Sequence, residues 1–386
     1  MILNRIIASL ILCIGIGCST APKVPDEQVR NSPNIILIMA DDLGYHDLGC
    51  YWNKNHLTPN IDNLAKNGIR FTDFHSNGAV CSPTRAALMT GRYQQRAGIE
   101  GVVTALNHRH TGLDPTEITI ADFFKKQDYK TGLIGKWHLG YDTIFSPTKN
   151  GFDYFKGFVS GNIDYHSHVD QVGQYDWWLN TETIIEEGYS TDLITNSAID
   201  FISNNKEQPF FLYIAHESPH YPYQGRNDKA DRIPGNKDFH THGSRKDKKN
   251  AYKEMIEVMD EGIGDLVEYL DKEKLLENTL LLFISDNGAA GTGSNYPLKG
   301  TKGSVWEGGH RVPAIAYWKD HINSSTSQET VLTMDIFPTL VDLINLTYFN
   351  NFIPDGKSFL TVLNNDKIIL ISKTDPYFGE LKIKKQ

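Results

Sequence analysis

Asn34-Ile35-Ile36-Leu37-Ile38-Met39-Ala40-Asp41-Asp42 is an unbroken apolar run that ends on two carboxylates. A run of this length with no polar alternation predicts a strand buried on both faces. The pattern recurs three times. Thr131 to Ile134 runs into Gly135-Lys136-Trp137-His138, Phe210 to Ala215 into His216 through Pro222, and Leu280 to Ser285 into Asp286-Asn287-Gly288. Between these runs lie helical patterns over Ile118 to Lys126, Thr191 to Asn204, and along Met255, Met259, Ile263, Leu266, Val267 and Leu270. Alternating strands and helices predict an α/β fold with a mostly parallel central sheet flanked by helices. Ligands of such sheets bind beyond the carboxyl ends of the strands, so the four polar clusters are expected to converge.

The second informative stretch is Val80-Cys81-Ser82-Pro83-Thr84-Arg85-Ala86-Ala87-Leu88-Met89-Thr90-Gly91-Arg92. Ser82 before Pro83 reads as an N-cap with proline at the first helical position, and Gly91 as the stop. Cys81 then sits at a helix mouth, where unpaired N–H groups favour an anion and Arg85, one turn on, can reach back. On these residues alone, a nucleophile for an anionic substrate and a buried cysteine behind a capped helix stand equal. Asp41, Asp42, Asp286 and Asn287 offer three carboxylates and an amide oxygen, hard ligands suited to Ca²⁺ or Mg²⁺. Taken singly, each pair also makes a good turn.

The chain has 386 residues, 40% hydrophobic and 22% charged, enough for one large core and a smaller lobe. Its net charge of −9 gives no basic excess for nucleic acid, so cations for an anionic ligand must be concentrated locally. Four cysteines exclude a disulfide framework, although a Cys50–Cys81 bridge stays open by count. Residues 1–18 read as an export signal: Arg5, an apolar run from Ile6 to Ile16, then Gly17-Cys18. Gly17-Cys18 is similar to a bacterial lipoprotein processing site that would lipidate Cys18, with plain cleavage or an uncleaved anchor as alternatives. Residues 19–33 read as a tether. Lys149 to Tyr189 and Tyr221 to Asn250 read as long irregular insertions over the site, and Arg245 to Lys249 as a solvated surface.

Cys81-Ser82-Pro83-Thr84-Arg85 with Met89-Thr90-Gly91-Arg92 resembles the signature of the formylglycine-dependent type I sulfatases, the arylsulfatase and N-acetylgalactosamine-6-sulfatase group of the alkaline phosphatase-like superfamily. The resemblance runs from about Asn34 to about Phe359. It implies that Cys81 is oxidised to formylglycine by a maturation enzyme, and that Asp41, Asp42, Asp286 and Asn287, with residue 81, hold one Ca²⁺ rather than Mg²⁺. The hydrate of that aldehyde offers two hydroxyls. One attacks sulfur, the alcohol leaves with a proton from an acid, and deprotonation of the other expels sulfate and restores the aldehyde. An unmodified thiol has no second hydroxyl with which to release the product.

By the same resemblance, Lys136 in Gly135-Lys136-Trp137-His138-Leu139-Gly140 clamps sulfate and His138 contacts the formylglycine hydroxyl. His220 in Ser218-Pro219-His220-Tyr221-Pro222 protonates the leaving oxygen, Arg85 supports the nucleophile, and Lys302 in Leu298-Lys299-Gly300-Thr301-Lys302-Gly303 contacts sulfate. His216, His166, His168 and Arg109 are the candidates for sugar binding, with self-packed loops as the other reading. The implied organisation is a signal over 1–18, a linker over 19–33, a catalytic domain over 34–345 and a shortened C-terminal subdomain over 346–386. The implied partner is a sulfated polysaccharide or oligosaccharide, carrageenan or glycosaminoglycan, met by an exported protein of the bacterial periplasm or outer membrane. No nucleic acid is expected, and membrane attachment only through a lipid at Cys18. The rivals are a phosphoester hydrolase or phosphotransferase of the same superfamily, and a sulfated-glycan binding protein without turnover.

Overall fold

The structure is a computed structural model that describes residues 32–349 and 352–364. The signal with Cys13 and Cys18, nearly all of the tether, and the strand expected at Lys367 to Ile371 lie outside the described residues. Twelve strands occur among the described residues: β1 (Asn34–Ala40), β2 (Ile69–Phe71), β3 (Phe74–His75), β4 (Lys130–Lys136), β5 (Tyr154–Phe158), β6 (Trp178–Leu179), β7 (Glu182–Thr183), β8 (Phe210–Ala215), β9 (Thr279–Ser285), β10 (Ala314–Tyr317), β11 (Ser325–Ser327) and β12 (Val331–Leu332). Ten of them form one sheet in the order β11-β2-β10-β9-β1-β8-β4-β5-β6-β7, while β3 pairs with β12. The four strands read from the sequence, β9, β1, β8 and β4, are contiguous at its centre and mutually parallel.

The apolar run of β1 explains the layering. Ile35, Leu37 and Met39 face a core built with helices α2 (Cys81–Thr90), α3 (Ile120–Lys125) and α7 (Ile336–Leu343). Ile36, Ile38 and Ala40 face the opposite core with α1 (Pro59–Asn67), α4 (Ser190–Asn205) and α5 (Lys248–Lys272). Period-two alternation therefore puts an apolar side chain into a helix layer at every position from Ile35 to Ala40, and the one polar residue, Asn34, sits at the first position with its amide on Thr279 Oγ1 at 3.4 Å. Two short helices complete the described set, α6 (Glu307–His310) and α8 (Leu360–Leu363). The helix expected over Ile118 to Lys126 begins at Ile120 because Thr119 and Asp122 close a reciprocal capping box.

Two expectations need correction. Lys149 to Tyr189 is not wholly irregular, since β5, β6 and β7 within it extend the sheet at one edge. The last two strands have two residues each, too few for any periodicity to register. The helix carrying Cys81 also starts earlier than expected. Val80 is extended and Cys81 is the first helical residue, so Ser82 caps nothing; its Oγ accepts instead from the Val103 N–H at 3.1 Å. Pro83 is tolerated at the third position because none of the first-turn N–H groups has an intrahelical acceptor. Gly91 ends the helix as expected, with φ at 62° and its N–H on the Ala87 carbonyl.

Candidate active site

The carboxyl ends of β1, β4, β8 and β9 bring Asp41, Lys136, the loop to His220, and Asp286 into one buried cluster at the start of α2. Lys136 is the last residue of β4, and its Nζ lies 2.5 Å from Asp41 Oδ2. Close strand packing requires glycine before it. Gly135 has φ at 102°, and a Cβ there would fall 2.0 Å from the Ala215 carbonyl oxygen. Arg85 reaches back from α2 as expected, placing Nη2 2.9 Å from Asp286 Oδ2 while Nη1 donates to the Lys136 carbonyl at 3.1 Å and to Tyr213 Oη at 3.4 Å. Lys302 enters from the loop after β9, with Nζ 2.6 Å from Asp42 Oδ1 and 3.3 Å from Cys81 Sγ. Cys81 Sγ is also 3.7 Å from Asp41 Oδ1.

Cys50 and Cys81 are both free, so the bridge left open by count is not formed. Burial pushes the Cys81 thiol up to about 12 against the pull of Lys136 and Lys302. The residue is thus a neutral thiol near neutral pH, a poor nucleophile in its unmodified form.

Single ligand atoms of Asp41, Asp42, Cys81 and His220 lie within 4.8 Å of one another. Asp42 Oδ2 and Asn287 Oδ1 are buried with no hydrogen-bond donor. His220 donates from Nδ1 to the Tyr221 carbonyl at 2.6 Å, which leaves its Nε2 bare, 3.6 Å from Asp42 Oδ2. Two oxygen lone pairs without donors in one buried place fit a cation, and the oxygen-rich donor set fits Ca²⁺. Electrostatics agree: burial and Asp286 push the Asp41 carboxyl up to about 8 despite Lys136 and Arg85. For Asp286, burial is outweighed by Arg85 and Lys136, which hold its carboxyl below the usual range.

His138 donates from Nε2 to the Val103 carbonyl at 2.9 Å, and its Nδ1 is buried without a partner. Burial and Lys136 push both His138 and His220 well below the ordinary histidine value, with Lys302 the larger of the two lysine effects on His220. Both imidazoles are therefore neutral.

The candidate sugar-binding residues are placed differently. His216 is buried, pushed down to about 4 by desolvation, with Nδ1 unpartnered. His166 Nε2 lies 3.1 Å from the Gly225 carbonyl oxygen, and its ring packs against Tyr189. His168 stacks on Trp177, with Nε2 3.1 Å from the Gly188 carbonyl oxygen. Arg109 pairs with Asp170 at 3.3 Å beside the Tyr141 ring. The last three hold the insertion loops together and make no hydrogen bond to the cluster above among the described residues.

Sequence reasoning missed three contributors. Tyr213 supports Arg85, and its hydroxyl in an otherwise apolar run was the available signal. Val103 ties Ser82 to His138 through its backbone, which no side-chain pattern announces. Glu217 is buried, accepting from the Ile163 N–H at 2.6 Å with Oε2 unpartnered, and its place between His216 and His220 was the signal.

A parallel sheet whose strand ends feed an acidic, oxygen-rich cluster beside a helix-borne cysteine defines a candidate active centre at the carboxyl edge of an α/β fold. The family described as Sulfatase matches residues 33–346. The chain belongs to the sulfatase family, the type I sulfatases of the alkaline phosphatase-like superfamily. An arylsulfatase of Hemicentrotus pulcherrimus is 33% identical over 357 residues, which cover 86% of this chain and 62% of that protein. The N-acetylgalactosamine-6-sulfatase of Homo sapiens is 32% identical over 382 residues, 92% of this chain and 69% of that protein. The chain thus spans under two thirds of the first relative's length. The crystal structure of Ps i-CgsB in complex with k-i-k-neocarrahexaose matches with a TM-score of 0.76 at 33% identity, over 84% of this chain and 75% of that one.

Proposed function

We propose that this protein hydrolyses sulfate esters on a sulfated carbohydrate, using formylglycine made from Cys81 and assisted by Ca²⁺. The observation that carries the reading is Cys81 at the first position of α2, its Sγ 3.3 Å from Lys302 Nζ, in a buried cluster with unpartnered oxygens on Asp42 and Asn287 and with His220 Nε2 3.6 Å from Asp42. Asp41, Asp42, Asp286 and Asn287 would hold the ion, which would supply positive charge at the site and favour ionisation of the nucleophile. Formylglycine supplies a hydrated aldehyde in place of the thiol.

Lys136, on Asp41, and Lys302, on Asp42 and beside Cys81, bring two ammonium groups to the site that hold the sulfate oxygens. Arg85 fixes Asp286 and the end of β4, so the clamp is set before substrate arrives. His138, neutral and anchored on Val103, offers Nδ1 to a hydroxyl of the nucleophile. His220 carries its transferable proton at Nε2 when protonated, because Nδ1 is committed to the Tyr221 carbonyl. A sulfated galactan or glycosaminoglycan is the substrate class, supported by the carbohydrate named with the Ps i-CgsB structure. Residues 1–18 direct export, with Cys18 the site of lipidation. No helix among the described residues is long and apolar enough to cross a membrane.

Peptide mass spectrometry across Cys81 on protein from its native host, with desulfation assays on sulfated oligosaccharides, tests the proposal. An aldehyde at residue 81 together with sulfate release is the expected result. A free thiol with binding but no turnover would replace it with a glycan-binding role.

Metal binding gives a separate test. Adding calcium to chelator-treated protein is expected to raise the thermal midpoint by roughly 5 °C or more, as binding to the folded state alone requires at concentrations well above Kd. Asp42→Asn and Asn287→Ala should abolish the shift. Equal midpoints with and without calcium in the unaltered protein would refute the ligand assignment.

A further inference from the structure

We propose that the loop over residues 294–306 carries a second carbohydrate subsite, built from Trp306 and Lys299, that takes an anionic sugar unit next to the one being desulfated. The inference rests on the sulfatase reading above and extends it to the neighbouring part of the substrate. The loop has two sides. Inward, Lys302 Nζ lies 3.3 Å from Cys81 Sγ. Outward, four residues on, the Trp306 indole is 53% exposed, flanked by Val305 at 91% and with Tyr296 at 68% on the same loop. Lys299 places its Nζ 3.8 Å from the centre of the Trp306 ring, and no carboxylate among the described residues pairs with it.

This loop is held firmly. Asn295 accepts from the Ala289 N–H at 2.9 Å and donates to the carbonyls of Ala289 and Gly300 at 3.2 Å each. The Lys302 N–H reaches the Ala289 carbonyl at 3.0 Å, the Gly308 N–H the Lys299 carbonyl at 2.8 Å, and the Gly303 N–H the Ala79 carbonyl at 2.8 Å. Asp47 takes the Ser294 N–H at 3.0 Å, and His46 packs edge-on against Tyr296 at 5.4 Å. The backbone that carries Trp306 is therefore fixed relative to the nucleophile, and little loop order remains to be imposed when a ligand binds.

The chemistry selects the ligand. A pyranose presents C–H groups on one face and hydroxyls at its edge, so its face packs on an indole while the edge stays wet. Lys299, now over that indole, is free to turn to a sulfate on the same sugar. A chain of net charge −9 repels a polyanion at long range, so such a ligand needs cations at the mouth of the site. Lys302 serves the sulfate being removed and Lys299 the one beside it.

The experiment compares the unaltered enzyme with Trp306→Ala and Lys299→Ala on a small aryl sulfate and on whichever carrageenan or glycosaminoglycan tetrasaccharide it desulfates fastest. Each variant is expected to raise KM for the tetrasaccharide about ten-fold while kcat/KM on the aryl sulfate stays within about two-fold. An unchanged KM for the tetrasaccharide, or an equal loss on the aryl sulfate, would overturn the subsite. If the unaltered protein turns over no sulfate ester, the sulfatase reading fails by itself. Calorimetric titration with the same classes of tetrasaccharide then decides the subsite: about ten-fold weaker binding by the variants upholds it, and equal or undetectable binding by all three proteins removes it.

Discussion

A Cys81→Ala variant is expected to lose desulfating activity by about 10⁴-fold or more while remaining folded. The two effects separate because of where the sulfur sits. Cys81 is buried at the start of α2 as a neutral thiol, so alanine removes one atom and no charge, a change worth about 1–2 kcal/mol at most. Thermal unfolding and calcium binding of the variant check that the remainder of the site survives. Undiminished turnover by a correctly folded Cys81→Ala protein would remove Cys81 as the source of the nucleophile.

Arg85→Ala is expected to act chiefly on stability, lowering it by about 3–5 kcal/mol, because it leaves buried carboxylates without their partner. Arg85 is itself buried, 2.9 Å from Asp286 and 3.9 Å from Asp41, and it also donates to Lys136 and Tyr213. Arg85→Lys should recover only part of the loss, since one ammonium cannot serve Asp286 and two further acceptors in the planar pattern of a guanidinium. Urea denaturation at neutral pH, with m-values compared, measures the difference. A loss below about 1 kcal/mol for the alanine variant would mean that the carboxylates are compensated elsewhere.

The central strands were legible because burial on both faces leaves the interiors of β1, β8 and β9 almost wholly apolar, with Asn34, Thr279 and Ser285 only at strand ends, and the change to Asp41, His216 and Asp286 follows them. The candidate site was legible for a related reason: its charged side chains stand just beyond those runs, apart from Lys136 at the end of β4, Arg85 on its helix and Lys302 on its loop. The start of α2 was misplaced because a proline fits several first-turn positions, and only the Val103 N–H shows what Ser82 is for. The edge strands β6 and β7 were invisible because two residues carry no period. The roles of His166 and His168 depended on which carbonyls their rings would meet, Gly225 and Gly188, and those lie 59 and 20 residues away in the chain.

The register of the central strands fixes a reading frame for the site. Ala40 is level with Ser285, and Met39 and Gly135 are both level with Ala215. One inserted residue within any of these strands would advance the following side chain by about 3.3 Å and turn it to the opposite face. The 2.5 Å approach of Lys136 to Asp41 could not survive that step. Changes of chain length are therefore barred from the strands and fall to the parts of the connections remote from the cluster, such as the stretch between Tyr223 and α5. In this architecture the strands act as a fixed ruler for the residues at their ends, and a change of length is tolerated only where no such residue follows it closely.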